Sequence, residues 1–291
     1  MARAAHDREV TVMLGDFGGS VGSLLGVEIT DDSIRMLHLG RQRRALRVAG
    51  WAVEPLLGTP SAGGGQLQTA LRKAHERCAT RQRQVALALP ASQLICKVCQ
   101  VVADPSGEAM EAQLLGLADQ LFPFPLDDLA LDFQLLGPSA QAPGMIDALV
   151  VACRQSQLDP FEQLFAQVGL ELVAVEVDSV VLWRALTPGD SLVLQMENTQ
   201  LVTHRWADGD VPQRQQNVMV SPDQWGEHID GLATAQEVLL IGAAASPGRA
   251  RSISERLGVA CRMACPPALA GLEDIGPSMV LAYGLAQGGA A

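Results

Sequence analysis

The sequence predicts an α/β protein built as two lobes, and three observations carry that expectation. Its 291 residues, rich in apolar side chains, exceed what one small domain needs and supply a sizeable core. From Ser23 the pattern runs strand, strand, strand, helix, strand. Within DQLFPFPLDDLALDFQLL, residues 119–136, Pro123 and Pro125 stop a helix near Leu121 or Phe122. Each proline lacks an amide hydrogen and forces its predecessor into extended geometry, so the chain restarts as a strand at Leu129.

Taken in order, residues 1–22 carry Gly15, Gly18 and Gly19 with little periodicity and read as a flexible leader. LLGVEI is a buried strand, DDS a tight turn, IRMLHL the returning strand and LRVAGWAVEPL a third, which makes a meander. After the loop GTPSAGGGQ, Leu67, Leu71, Ala74 and Cys78 recur at helical spacing. VALALP and ICKVCQVV are interior strands. Strand residues three apart face opposite ways, so Cys96 and Cys99 cannot share a metal, and Cys261 and Cys265 have no histidines nearby; no metal site is expected. Asp104-Pro105-Ser106 opens a helix with Met110, Leu114, Leu117 and Leu121 on one face. LALDFQLLG and MIDALVVAC are strands, and the next helix is expected to start at an Asp159 cap with Pro160 in its first turn and to stop at Gly169. LELVAVEV completes a helix-strand-strand-helix-strand unit over 104–177. A short helix covers 179–186, SLVLQ and TQLVTHRW pair, Asp208-Gly209 turns, and a helical stretch lies around 221–235. EVLLIG is again a buried strand, followed by a helix from Ser246-Pro247-Gly248 to Gly258.

The helix running into Phe-Pro-Phe-Pro-Leu-Asp-Asp and a Leu-Asp-Phe strand resembles the PilM family of type IV pilus assembly proteins, and the closing VLAYGLAQGG is similar to that family's last helix. The chain looks like a short, divergent member, such as those of mannose-sensitive-type pilus systems. The resemblance implies an actin-like (ribonuclease H-like) two-lobed fold. It divides into a first lobe over 23–103 and 178–189, an inserted α/β subdomain over 104–177 and a second lobe over 190–291. That second lobe is truncated, because only residues 210–236 stand where relatives carry a long helical subdomain.

Such a fold holds its nucleotide between two hairpin turns whose backbone amides approach the phosphates. Against the family pattern, Gly26 and Ser33 match in GVEITDDSIR, while Glu28 replaces Asp, Thr30 replaces Gly and Arg35 replaces Lys. In the second turn Gln195 stands for the metal-side aspartate and Glu197 for the glycine that admits phosphate. A carboxylate opposing a phosphate there costs several kcal/mol, and no neighbouring Lys or Arg is expected to offset it. The adenine-side turn is LLIGAAASPG, with Gly242 kept and Ala243 beside it. The vestigial nucleotide residues are therefore Glu28, Thr30, Ser33, Gly242 and Ala243; no cofactor is expected, the alternative being weakly held ATP with magnesium.

The function implied is a non-enzymatic scaffold that binds the N-terminal tail of a PilN-like membrane protein between the inserted subdomain and the first lobe, and that also allows a homo-oligomer. An extended peptide adding to a sheet edge suits such a site, with Phe122, Phe124 and Phe133 as candidate apolar contacts. The alternative is an ATP-binding protein whose nucleotide state regulates that docking. A formal charge of −11 disfavours nucleic acid and anionic lipid, and the arginines at 41, 43, 44 and 47, like the basic residues from Arg72 to Arg83, read as solvated faces. No apolar run approaches the roughly 20 residues that cross a bilayer, and no secretory signal opens the chain, so the expected location is cytoplasmic, held near the inner membrane through partners. Six cysteines form no disulfide-like pattern, and no His-Glu-x-x-His motif marks a metallohydrolase.

Overall fold

A computed structural model describes residues 11–13, 23–42, 45–56, 65–102, 107–206, 211–219, 221–232, 235–272 and 275–288. The strands and helices in chain order are β1 (Thr11–Met13), β2 (Leu25–Ile29), β3 (Ser33–Gln42), β4 (Ala45–Pro55), α1 (Gly65–Cys78), β5 (Gln84–Leu89), β6 (Ile95–Val102), α2 (Gly107–Leu121), β7 (Leu129–Pro138), β8 (Met145–Arg154) and α3 (Gln155–Gln167). They continue as β9 (Glu171–Val177), α4 (Asp178–Leu186), β10 (Leu192–Met196), β11 (Gln200–Arg205), β12 (Gln213–Val218), α5 (Gly226–Ile229), β13 (Glu237–Ile241), α6 (Pro247–Leu257), β14 (Ala260–Met263) and α7 (Val280–Gly288).

Two sheets share one wiring. The first runs β1-β9-β5-β2-β3-β4 and the second β12-β11-β10-β13-β14. In each, a three-strand antiparallel meander is extended from its first strand by parallel strands: β5 then β9 beside β2, and β13 then β14 beside β10. The first strand of each meander therefore lies inside its sheet, where both faces are covered, and LGVEI and LVLQM are accordingly almost wholly buried. Helices α1 and α3 cover one face of the first sheet. Helices α4 and α7 fill the space toward the second sheet, packing Val181, Leu182, Val280 and Leu285 with Leu37 on one side and Val193 and Leu239 on the other.

Helix α7 sits so close to β2 that a Cβ on Gly26 would lie 2.0 Å from the Ala282 carbonyl oxygen and 2.8 Å from the Ala286 nitrogen. The family-like glycine at the start of the first hairpin is thus a packing requirement. The Pro123/Pro125 stop behaves as expected, ending α2 at Leu121 and starting β7 at Leu129. Cys96 packs into the core beneath the first sheet and Cys99 into the core under α2, on opposite faces of β6.

Three expectations are corrected. Thr11–Met13, placed in the leader, forms a strand parallel to β9; the leader's other residues, 1–10 and 14–22, lie outside the described residues, as do Asp104-Pro105-Ser106 and Asp208-Gly209. The middle unit also divides differently from 104–177. β6, assigned to the first lobe, joins β8 and β7 in a separate three-stranded sheet, whereas β9, assigned to the insertion, lies between β1 and β5. Chain order cannot show which sheet an apolar strand enters. Finally, α3 starts at Gln155 and not at an Asp159 cap, leaving Pro160 inside the helix. The early start has a tertiary cause: the Asp128 carboxylate accepts from the Ser156 N–H (2.8 Å) and hydroxyl (3.0 Å), and Gln157 Oε1 accepts from the Arg154 N–H (3.2 Å), occupying donors that a first turn leaves open. The stop at Gly169, φ +75°, is as expected.

Replacing Gly26 by alanine is expected to push α7 from the sheet and cost about 3 kcal/mol, read as a lower urea midpoint at unchanged slope.

Candidate functional site

The two hairpin turns face each other across the lobes. In the β2–β3 hairpin, Glu28 and Arg35 are directly paired across the ladder. In the second, Glu197 directly follows β10, and its N–H donates to the Gln200 carbonyl at 2.8 Å. The turns place these side chains together. Arg35 Nη1 donates to Glu28 Oε2 at 3.1 Å, to Glu197 Oε1 at 3.0 Å and to the Ser278 carbonyl at 3.3 Å, and Nη2 donates to Glu197 Oε2. Gln195 Nε2 donates to both carboxylates, at 3.1 Å to Glu28 and 3.0 Å to Glu197. All four residues are buried. The expectation that no cation stands near Glu197 is therefore overturned: Arg35, read only as a substitute for a lysine, grips it with a two-pronged pair from the opposite lobe.

The tips of the turns are joined as well. Asn198 Nδ2 donates to Asp32 Oδ2 at 2.5 Å, and Gln200 Nε2 donates to Asp31. Burial would raise the Asp32 carboxyl, but hydrogen bonds from Asn198, Thr30 and Ser33 hold it below the ordinary carboxylate value. Thr30 and Ser33 serve the turn itself: the Ser33 N–H donates to Thr30 Oγ1 at 3.1 Å, and the Thr30 hydroxyl contacts Asp32 Oδ1 at 2.9 Å. Gly242 adopts φ +102°, and a Cβ there would meet the Met196 carbonyl oxygen at 2.3 Å. Its neighbour Ala243 donates its N–H to Glu197 Oε2 at 3.2 Å. All five expected nucleotide residues thus gather at one place, around an internal ion cluster.

The arrangement does not fit a triphosphate. The guanidinium and the backbone amide that an anion at this point would use already serve the Glu197 carboxylate. Two cavities flank the cluster, one of about 330 Å³ bordered by Glu28, Glu197 and Gln195, and one of about 360 Å³ bordered by Arg35, Gly242 and Ala243. Each lies at the lower limit of ligand pockets.

A second buried cluster links the lobes and was missed by sequence reasoning. Asp178, at the start of α4, receives Arg214 Nε of β12 at 2.7 Å on one oxygen and the Ala91 N–H at 3.1 Å on the other. Ser179 Oγ hydrogen-bonds His204 Nδ1 of β11 at 2.9 Å. Nothing in the spacing of these residues signals that they meet.

The three candidate docking rings lie in or against the core of the three-stranded sheet. Phe122 is held within it, at 3 % exposure, whereas Phe124 and Phe133 are half-buried around it. Lys97 Nζ lies 5.8 Å from the Phe122 ring centre and the Arg154 guanidinium 5.3 Å from that of Phe124, so each ring carries a cation at its face.

Two lobes of one wiring, meeting at facing hairpin turns and accompanied by a third, smaller sheet, define an actin-like protein. The model of the family described as Type IV pilus assembly protein PilM matches residues 26–203, and the chain belongs to that family. Among solved structures it is similar to one described as the PilM-PilN type IV pilus biogenesis complex, at 21 % identity and TM-score 0.68, over 92 % of this chain and 99 % of that one. It is also similar to glycerol dehydratase reactivase, at 8 % identity and TM-score 0.53, over 92 % and 99 %. Ethanolamine utilization protein EutJ from Carboxydothermus hydrogenoformans matches at 15 % identity and TM-score 0.49, over 92 % of each chain. Among the described residues no helix is long and apolar enough to cross a membrane.

Removing Arg35 strands two buried carboxylates. Arg35→Met is expected to lower stability by about 3–5 kcal/mol in urea unfolding, and adding Glu28→Gln with Glu197→Met to recover most of the loss.

The cluster also sets a pH dependence. Burial, with the Glu197 charge adding and the Arg35 charge opposing, pushes the Glu28 carboxyl from 4.5 up to about 7. Between those values the unfolded chain releases a proton that the folded chain keeps, so the Glu28 contribution to stability falls as pH rises from 4.5 to about 7. Burial pushes His204 from 6.5 down to about 4, and its contribution is lost in the opposite direction, as pH falls through that window. The stability difference between the wild-type chain and Glu28→Gln isolates the first effect. It is expected to shift against the wild type by up to about 3 kcal/mol between pH 5 and pH 7.5, measured by urea titration.

Proposed function

We propose that the chain is a non-enzymatic scaffold of a type IV pilus or related secretion platform at the inner membrane. In this reading it lies on the cytoplasmic side and binds the N-terminal tail of a PilN-like membrane protein. Membership of the PilM family supports the setting, and the likeness to a PilM-PilN complex supports the partner. The observation that carries the non-enzymatic part is Glu197, whose carboxylate takes the Arg35 guanidinium and the Ala243 N–H for itself.

The docking surface in this reading is the seam between the first sheet and the three-stranded sheet. Phe124 and Phe133, half-buried beside that smaller sheet, remain the aromatic contacts proposed, while Phe122 supports them from the core. The domain division that suits the sheets takes β6, α2, β7 and β8 as the inserted unit and returns β9 to the first lobe.

Isothermal titration calorimetry tests both parts. ATP with magnesium is expected to show no affinity tighter than about 1 mM, and a synthetic tail of the neighbouring membrane protein to bind saturably at about micromolar concentration. Micromolar ATP binding would instead favour nucleotide-regulated docking, and a tail that fails to bind would remove the scaffold reading.

A further inference from the structure

The first sheet has two edges, β4 and β1, and the β1 edge has an unusual construction. β1 is only the segment Thr11–Met13, paired in parallel with Ala174, Val175 and Glu176 of β9. It also approaches β7 and β8, so its backbone occupies the seam between the six-stranded and three-stranded sheets. Without it, β9 would be the edge of the sheet. With β1 displaced, the backbone groups that Ala174, Val175 and Glu176 turn toward it would be left unpaired beside β7 and β8.

We infer that Thr11–Met13 is a displaceable cis-strand: it covers the β9 edge as a stand-in for an extended segment of a partner, and docking at the seam requires its release. This rests on the scaffold reading for the identity of the partner, but not for the self-occupancy of the groove. Three residues of parallel pairing form few hydrogen bonds, and the net gain per bond is close to the backbone entropy that each ordered residue gives up. Such a strand exchanges readily, as a longer or antiparallel one would not. Its covalent attachment makes the competition intramolecular, so it excludes free peptides of equal intrinsic affinity up to the effective concentration set by the joining chain. The segment's own sequence, Thr11-Val12-Met13, is uncharged and mostly β-branched, the composition of an edge-adding peptide. The consequence is a threshold. The partner's tail must outbid a resident strand, which suppresses docking by weak or wrong extended segments.

The probe is a fluorescent synthetic peptide, REVTVMLG, which repeats residues 8–15. It is titrated into the full chain and into a full-chain variant carrying Thr11→Pro, Val12→Pro and Met13→Pro, which cannot donate to the ladder. The variant is expected to bind the peptide at least tenfold more tightly than the wild type, and equal affinity would overturn the inference. Amide exchange on the unaltered chain supplies a reading independent of how the variant folds. Adding the membrane protein's tail is expected to speed exchange over residues 11–13 while protecting residues 172–177. A tail that binds without changing exchange over 11–13 overturns the cis-strand and leaves the scaffold reading intact. A tail that does not bind at all removes that reading, and the peptide titration then decides the cis-strand alone.

Discussion

The two lobes are held in register by the Arg35 guanidinium, which reaches from β3 of the first lobe to Glu197 of the second while Glu28 stands beside it. Burial works against its charge, and the two carboxylates more than reverse this, holding the arginine firmly protonated. One cation between two buried anions is stable only because Gln195, the Ala243 N–H and the Ser278 carbonyl complete the remaining hydrogen bonds. The arrangement has the logic of an anion site whose anion has become part of the chain. A side-chain carboxylate, delivered by the second hairpin, sits against the donors that the fold offers at this point.

An internal anion cannot be exchanged, and that fixes how the two lobes meet. A cleft that closes on a bound ligand opens when the ligand leaves. Here the closing contacts are covalently present on both lobes, and the Asp178–Arg214 pair with the Ser179–His204 hydrogen bond adds a second buried crossing. The tips of the hairpins add a third, through Asn198 to Asp32. Between these crossings α4 and α7 are packed against both sheets. The two lobes are therefore held together from the tips of the hairpins to the helices packed between the sheets.

Much of the fold was legible in the chain because its determinants are local. Pro123 and Pro125 act on their own residues and neighbours, Ser246 and Gly258 bound α6 as their types require, and the meander follows from apolar strands separated by a short turn. The Glu28–Arg35 pairing was within reach too, since a turn at Thr30–Ser33 places the two residues opposite each other. The start of α3 was not, because its cap is Asp128, supplied from another part of the chain. Nor was the exchange of β6 and β9 between sheets: both are apolar segments of similar length, and only the packing of α2 and α3 decides which face each must complete.

The sequence by itself determined the class of fold, the order of its elements, the family resemblance and the position of the two hairpin turns, because residue type acts there through backbone geometry and period. Only the tertiary structure decided what the two turns bring together. Glu197 alone reads as an uncompensated charge, and its meaning changes once Arg35, far away in the chain, is within 3.0 Å. Charge compensation depends on distance in space and on exclusion of water, and neither is written in the spacing of residues along a chain.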